Sequence, residues 1–273
     1  MQSFKLIASD LDGTLLCDIM DEGDKNGAAI HEIAKRGILF IPSTGRTYAE
    51  IPKSLKDNPD IRYIIYSNGS TAYDKKEKKV IINNEITKET TQRVLNICKK
   101  YEAYTCAHIN GAARVPSISG KENMEYYQIN EYYQKLLGYA KSYENIEELE
   151  AEETGAESIV LFFHDDAELE ECKRELLEID GLYVTASVAH NLEIVSANAG
   201  KGAALTAFAD MLGIKKEEIL TIGDSTNDVS MFEASGLSLC AKNGNEEAKR
   251  NADKVICSNT EGVVDYVLKN ILS

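Results

Sequence analysis

The stretch FKLIASDLDGT, residues 4–14, decides the fold of this 273-residue chain. In it, an apolar run of strand length leads directly into DLDGT at residues 10–14. Residues two apart in an extended segment point the same way, so Asp10 and Asp12 face one crevice while Leu11 packs inward. Two carboxylates at a strand end suit a phosphoryl group, because one can attack phosphorus while the other exchanges a proton with the leaving oxygen. An ordinary acidic turn is the alternative interpretation.

Outward from this strand, apolar runs of strand length alternate with segments of helical period. This alternation predicts an α/β fold in which a parallel sheet is covered by helices. The strands predicted for this core are Phe4–Ser9, Ile38–Pro42, Tyr63–Ser67, Ile219–Ile222 and Leu237–Cys240. A hairpin with a lysine-rich turn is expected between Thr71 and Ile82.

The middle of the chain has a different pattern of short strands and helices, which predicts an inserted domain. We expect the core to comprise residues 1–83 and 196–273, and the insertion to comprise residues 84–195. A tyrosine-rich helix is predicted within the insertion. Its tyrosines are expected mainly to pack or to form a subunit contact, with sugar stacking as the alternative for one or two of them: Tyr126, Tyr127, Tyr132, Tyr133, Tyr139 and Tyr143.

Two further polar clusters follow predicted strands or open predicted helices. STGR at 43–46 offers a hydroxyl and amide groups to a phosphoryl oxygen, and Arg46 adds positive charge. As a plain strand-to-helix turn, the same residues would only cap a helix. Lys201, between Gly200 and Gly202, opens a predicted helix and would lower the charge of a crowded anionic site. An exposed surface lysine is its alternative.

A fourth cluster, GDSTND at 223–228, follows the predicted strand Ile219–Ile222. Ligands of open parallel sheets bind outside the carboxyl ends of the strands, so this cluster is expected near Asp10. Two carboxylates and an amide form a site of hard oxygen donors, which Mg²⁺ prefers. A solvent-facing acidic turn, with Asn227 forming a local side-chain turn, is the alternative.

Charge and composition exclude several classes of partner. The formal net charge of −15 argues against nucleic acid and acidic membrane surfaces, since both repel such a chain. No apolar run approaches the length that crosses a bilayer, and no basic segment precedes the first strand, so we expect a cytoplasmic protein. Reduced thiols are therefore predicted for the six scattered cysteines, Cys17, Cys98, Cys106, Cys172, Cys240 and Cys257.

Taken in order, the four clusters resemble the motifs of haloacid dehalogenase-superfamily phosphatases of the Cof type, subclass IIB. Motif one corresponds to residues 10–14, motif two to 44–46, motif three to Lys201 and motif four to 223–228. The resemblance covers nearly the whole chain. It implies a Rossmann-like parallel core with an inserted α/β cap of the C2B type, which would determine substrate specificity.

The resemblance extends to Asn68-Gly69 and to the stretch LEIV at 192–195. The chain departs from the family pattern at Pro42-Ser43 and at residues 196–199. Neither departure affects a residue with an implied catalytic role.

The resemblance also implies individual roles. Asp10 would be the nucleophile, and Asp12 would protonate the leaving group and then deprotonate water. The implied phosphate-binding residues are Thr44, Gly45, Lys201 and Asn227. The implied Mg²⁺ ligands are Asp10, Asp224 and the main-chain carbonyl of Asp12. Asp228 would orient the metal shell or the lysine.

The implied activity is Mg²⁺-dependent hydrolysis of phosphomonoesters of small metabolites, such as sugar phosphates, through an aspartyl-phosphate. A phosphotransferase or phosphomutase with the same nucleophile is an alternative, since only the acceptor differs. A non-catalytic phosphate-binding regulator is a further alternative, which the intact carboxylates and lysine disfavour. The expected partner is a small phosphorylated molecule, and a homodimer remains open.

Overall fold

A computed structural model describes residues 3–18, 26–117, 121–186 and 189–273. Its strands, numbered along the chain, are β1 Leu6–Ser9, β2 Leu39–Pro42, β3 Tyr63–Tyr66, β4 Thr71–Asp74, β5 Lys79–Asn83, β6 Ala103–Ile109, β7 Ala112–Pro116, β8 Lys141–Tyr143, β9 Ser158–Phe163, β10 Leu182–Thr185, β11 Asn191–Ser196, β12 Ile219–Gly223, β13 Leu237–Cys240 and β14 Lys254–Val255. Its helices are α1 Gly27–Lys35, α2 Lys53–Asp57, α3 Lys88–Cys98, α4 Lys121–Tyr126, α5 Glu131–Leu136, α6 Glu147–Glu150, α7 Asp166–Leu177, α8 Lys201–Leu212, α9 Val229–Glu233, α10 Glu246–Asn251 and α11 Val263–Asn270.

The chain divides into two compact units, which are described separately. The first comprises the residues up to Arg46, Ile51–Asn83 and Gly200–Ser273. The second comprises Thr47–Glu50 and Asn84–Ala199. The insertion was predicted over residues 84–195, whereas the second unit ends at Ala199 and also includes Thr47–Glu50.

The first unit contains a parallel sheet in the order β14-β13-β12-β1-β2. Every residue of β1 is buried, as expected of a strand covered on both faces. Leu6 pairs with Leu39 of β2 on one side and with Ile219 of β12 on the other. Because all three strands run in the same direction, their carboxyl ends meet at one edge of the sheet. The predicted α/β fold with a parallel core is confirmed.

The prediction that β3 belongs to the parallel sheet was wrong. Strands β3, β4 and β5 form a separate antiparallel sheet, in which Tyr63 pairs with Asp74. The short turn Ser67–Gly69 reverses the direction of the chain, so β4 lies beside β3 and pairs with its main chain. A single bridge between Ser43 and Ile65 joins β3 to the segment that follows β2.

The second unit is built on a sheet in the order β10-β11-β9-β6-β7-β8, antiparallel except for the pair β7 and β8. Helices α3 and α7 cover one face, where Val94 and Cys172 belong to the same buried cluster as Ile159 and Leu161 of β9. A second cluster, which includes Tyr104, lies among the alternate residues of the same strands.

The prediction of one tyrosine-rich helix was wrong, because this segment divides into separate elements. Helix α4 ends at Tyr126, and α5 begins at Glu131 after Asn130. The side-chain oxygen of Asn130 accepts a hydrogen bond from the N–H of Tyr133 at 3.1 Å, which caps α5 and starts a new helix. Tyr143 lies in β8, so the tyrosines do not share helix faces.

Within the described parts of the chain, none of the helices has the length and apolar character that crossing a membrane requires. The six cysteines all lie in these parts, and each is a free thiol.

Candidate active site

A buried lysine lies between two carboxylates at the edge where the parallel strands end. Lys201, the first residue of α8, donates from Nζ to Oδ1 of Asp10 at 2.6 Å and to Oδ1 of Asp228 at 2.7 Å. All three side chains are buried. The N–H of Asp10 donates to the carbonyl of Ile222, which continues the pairing of β1 with β12 and fixes the position of Asp10.

Asp224 follows β12 and is held by the loop that contains Asp10. Its Oδ1 accepts a hydrogen bond from Oγ1 of Thr14 at 2.7 Å. Gly13 has a φ of 77°, and a Cβ at this position would lie 2.5 Å from Oδ2 of Asp224. Only glycine allows both this backbone conformation and this close approach.

Asp228 is fixed by main-chain groups of its own loop. Its Oδ2 accepts hydrogen bonds from the N–H groups of Asp224 at 2.9 Å and Ser225 at 3.0 Å, while its Oδ1 accepts from Lys201. Both carboxylate oxygens are therefore engaged.

The crowding of acidic groups changes their pKa values. Burial raises the pKa of Asp10 well above its usual range; Lys201 opposes this shift, and Asp228 and Asp224 add to it. Burial also raises the pKa of Asp224 to about 6, although the hydrogen bond from Thr14 opposes it. For Lys201, burial alone would lower the pKa, but the attraction of its two carboxylates outweighs burial and raises it.

The loop after β2 places Thr44, Gly45 and Arg46 at the same edge of the sheet. Oγ1 of Thr44 accepts a hydrogen bond from the N–H of Arg46 at 3.1 Å, and Thr44 is fully buried. The guanidinium of Arg46 contacts both carboxylate oxygens of Asp12, with Nε 2.9 Å from Oδ2 and Nη2 2.6 Å from Oδ1. Arg46, whose positive charge was expected to act on a phosphoryl oxygen, is thus paired with Asp12.

Asn227 lies in the same loop as Asp224 and Asp228. Its Oδ1 accepts from Oγ of Ser225 at 2.6 Å, and its Nδ2 donates to Oδ1 of Asn68 at 3.1 Å.

Sequence reasoning missed Asn243, which supports the loop of the first motif. Its Nδ2 donates to the carbonyl of Gly13 at 2.7 Å, and its Oδ1 accepts from the N–H of Asn259 at 2.9 Å. The signal was present, because Asn243 lies in a polar run, KNGN at 242–245, which begins two residues after the end of β13. The same argument from strand ends would have identified it.

The acidic cluster has donors that fit a divalent cation. Within the described residues, one carboxylate oxygen each from Asp10, Asp224 and Asp228 lies within 4.8 Å of the others. These are hard oxygen donors of the kind Mg²⁺ prefers. Burial raises the pKa values of Asp10 and Asp224, and a cation bound between them would favour their anionic forms. The carboxylate of Asp12 is outside this group and contacts Arg46 instead.

Comparison with known proteins identifies the family. The family model of haloacid dehalogenase-like hydrolases matches residues 7–268. The chain belongs to this family. It is 33% identical to the 5-amino-6-(5-phospho-D-ribitylamino)uracil phosphatase YwtE of Bacillus subtilis, and the alignment covers 98% of each chain.

Solved structures of haloacid dehalogenase-like folds agree with this assignment. The crystal structure of TM0651 from Thermotoga maritima has 27% sequence identity and a TM-score of 0.80, with 97% of each chain covered. The subclass IIB sugar phosphatase BT4131 shares the fold at 20% identity and a TM-score of 0.76, with 97% of this chain and 98% of that chain covered. The predicted family, fold and enzyme class, a haloacid dehalogenase-type phosphatase, are confirmed.

Proposed function

We propose that this protein is a Mg²⁺-dependent phosphatase that hydrolyses phosphomonoesters of small metabolites through an aspartyl-phosphate on Asp10. The observation that carries this proposal is the buried Lys201, whose Nζ contacts both Asp10 and Asp228. An ammonium in this position favours the anionic form of Asp10, which a nucleophile requires, and so opposes the burial that raises the pKa of Asp10. It also offers a positive charge to a phosphoryl group approaching Asp10.

Asp12 is the proposed acid and base. Because Arg46 contacts both of its carboxylate oxygens, this pair fixes the orientation of the Asp12 side chain. To protonate a leaving oxygen, the carboxyl group must turn away from Arg46 and take up a proton. After the leaving group has departed, the same carboxylate is suited to deprotonate the attacking water.

The proposed phosphate-binding groups are Thr44, Gly45, Lys201 and Asn227. The proposed Mg²⁺ ligands are Asp10, Asp224 and the main-chain carbonyl of Asp12. When bound, the cation neutralises charge that otherwise keeps the carboxylates and a phosphate dianion apart. Asp228 acts by holding Lys201 in place.

The substrate proposed first is 5-amino-6-(5-phospho-D-ribitylamino)uracil, because this compound appears in the name of the relative that is 33% identical along nearly the whole chain. It combines a phosphomonoester with a polyol and a ring, so the leaving group is large and polar. We propose that the second unit of the structure selects this leaving group, and that the enzyme acts in the cytoplasm.

The test is the release of inorganic phosphate from this compound and from a panel of sugar phosphates. The protein is first treated with a chelator and then supplied with Mg²⁺ or Ca²⁺. We expect no turnover after chelation, full activity with Mg²⁺ and little with Ca²⁺, which binds more ligands at longer distances. Turnover that persists after chelation would contradict the role of the metal, and no release from any phosphomonoester would contradict the function.

A further inference from the structure

The turn that follows β3, Ser67–Gly69, has an unusual backbone. Ser67 has a φ of 49°, Asn68 of 52° and Gly69 of 87°, so three consecutive residues have left-handed φ angles. Residues other than glycine occupy this region at a cost in free energy, and such a conformation persists only where the surroundings determine it. The contacts of this turn account for its conformation.

One set of contacts joins the turn to the loop that contains Thr44. The N–H of Asn68 donates to the carbonyl of Thr44 at 2.9 Å, and the N–H of Ser67 donates to the carbonyl of Arg46 at 2.9 Å. Between these two hydrogen bonds lies Gly45, where an added Cβ would be 3.1 Å from Oδ1 of Asn68. The turn therefore fixes the main chain on both sides of Gly45.

A second contact joins the turn to the start of α8. An added Cβ at Gly69 would lie 2.2 Å from the carbonyl oxygen of Gly200 and 2.9 Å from the nitrogen of Lys201. The backbone of the turn thus packs directly against the residue whose Nζ contacts Asp10. No side chain larger than that of glycine fits between the two segments.

A third contact joins the turn to the loop of Asp224. Oδ1 of Asn68 accepts a hydrogen bond from Nδ2 of Asn227 at 3.1 Å, while Oδ1 of Asn227 accepts from Ser225. The orientation of the Asn227 amide is therefore fixed by one hydrogen bond at its oxygen and one at its nitrogen. One N–H of its Nδ2 remains for a further acceptor.

We propose that Asn68 is a positioning residue that holds the phosphate-binding groups of separate loops in a fixed arrangement. Its backbone fixes Thr44, and its amide oxygen orients Asn227 toward the phosphoryl group. Because these contacts converge on one three-residue turn, we expect a substitution at Asn68 to weaken phosphate binding indirectly, through Thr44 and Asn227. This inference rests on the proposed function, since that function assigns Thr44 and Asn227 to phosphate.

The test is a double-mutant cycle with Asn68→Gly and Asn227→Ala. Glycine keeps the left-handed backbone of the turn and removes only the side-chain amide. We expect Asn68→Gly to lower kcat/KM for an aryl phosphate about tenfold, the effect of losing one hydrogen bond. Inhibition by inorganic phosphate should weaken by a similar factor. The double variant should be no worse than Asn227→Ala, because Asn68 acts through Asn227.

Asn110→Gly is the matched control. Asn110 also has a φ of 52°, also precedes a glycine and also accepts a side-chain hydrogen bond, from Oγ1 of Thr154 at 3.3 Å. This variant should keep the wild-type kcat/KM for the aryl phosphate. If the losses of kcat/KM in Asn68→Gly and Asn227→Ala multiply in the double variant, the two residues act independently and the proposal is overturned. A loss of kcat/KM in Asn110→Gly equal to that in Asn68→Gly would also overturn it.

A measurement without turnover separates this inference from the proposed function. Inorganic phosphate should raise the Tm of the wild-type protein and of Asn110→Gly, and should raise that of Asn68→Gly less. If the wild-type protein hydrolyses no phosphomonoester but this difference is seen, the proposed function fails and the positioning role stands. Equal shifts in all three proteins would overturn the positioning role, whatever the activity.

Discussion

At the scale of single residues, the site depends on charges that are stable only together. A buried ammonium such as that of Lys201 would be strongly destabilised alone, and Asp10 and Asp228 compensate for its desolvation. The same carboxylates would repel one another without the lysine. Removal of any one of the three residues therefore changes the balance of buried charge, which makes substitutions at this point informative.

Asp10→Asn should reduce turnover by roughly 10³-fold or more, as expected when a nucleophile is removed. The amide is nearly the same size and its oxygen can still accept from Lys201, so the protein should fold. Steady-state phosphate release and a thermal melt provide the measurements. Asp210→Asn, on an exposed position of α8, is the matched control and should leave turnover unchanged. Retention of a substantial fraction of activity by Asp10→Asn would contradict the proposed nucleophile.

A second prediction at this scale concerns His108 in β6, whose Nδ1 lies 2.8 Å from Oγ of Ser158. Burial lowers the pKa of His108 to about 4, although Glu193 opposes this shift. Between pH 6.5 and about 4, the unfolded chain binds a proton that the folded chain does not, so stability falls as the pH drops.

The contribution of His108 to this fall is at most about 3 kcal/mol. Urea unfolding at pH 7 and pH 5 measures it. His108→Gln should remove part of the difference between the two pH values, because glutamine does not titrate. The same pH dependence in wild-type protein and His108→Gln would show that His108 is not the responsible group.

At the scale of elements, the continuous apolar strand β1 was predicted correctly, whereas the tyrosine-rich segment, which contains a local capping signal, was not. Every residue of β1 is buried, and the long-range pairing of β1 agrees with its pattern. The tyrosine-rich segment had helical spacing, but Asn130 begins a new helix inside it. A cap that binds main-chain N–H groups outweighs the spacing of side chains, because it determines where a helix can start.

Helix α7 provides a test of such a cap. Asp165 precedes it, and Oδ1 of this residue accepts hydrogen bonds from the N–H groups of Ala167 at 2.7 Å and Glu168 at 3.1 Å. Asp165→Ala should lower the free energy of unfolding by about 1 kcal/mol. Asp180→Ala, at an exposed position after α7, should change it by less than about 0.5 kcal/mol. Chemical denaturation compares the two variants, and equal losses would exclude a capping effect.

At the scale of the whole molecule, the residues proposed for catalysis and for phosphate and metal binding all belong to the first unit, since Asp10 to Gly45 precede Thr47 and Lys201 to Asp228 follow Ala199. The second unit has its own sheet and its own buried clusters. If the second unit selects the leaving group, as proposed, chemistry and selection can change separately, since binding energy for a leaving group need not come from the groups that act on phosphorus.

Exchange of the second unit tests this division. A chimaera in which the corresponding segment of YwtE replaces residues 84–199 should keep its kcat/KM for acetyl phosphate within a few-fold, because that substrate has a minimal leaving group. The order of its kcat/KM values for bulky phosphomonoesters should match the order found for YwtE. Kinetics on both kinds of substrate, together with the reverse chimaera, supply the measurement. Proportional losses on both would show that the second unit does not select the leaving group.

The sequence by itself determined the parallel core and the residues gathered at its edge. A continuous apolar run predicts a buried strand, and the direction of parallel strands brings their carboxyl ends together, so Asp10, Thr44 and Asp224 could be grouped before any coordinates. The family resemblance placed Lys201 with them. These inferences succeed because they depend on local pattern and on the topology of the sheet.

Only the tertiary structure decided which side chains pair. Arg46 was expected to face phosphate and instead contacts Asp12, and the roles of Asn243 and Asn68 were not recognised. These contacts join loops far apart in the chain, and their geometry depends on how the loops pack. Sequence spacing carries no information on such packing, because a hydrogen bond between two loops is determined by distances of a few tenths of an ångström.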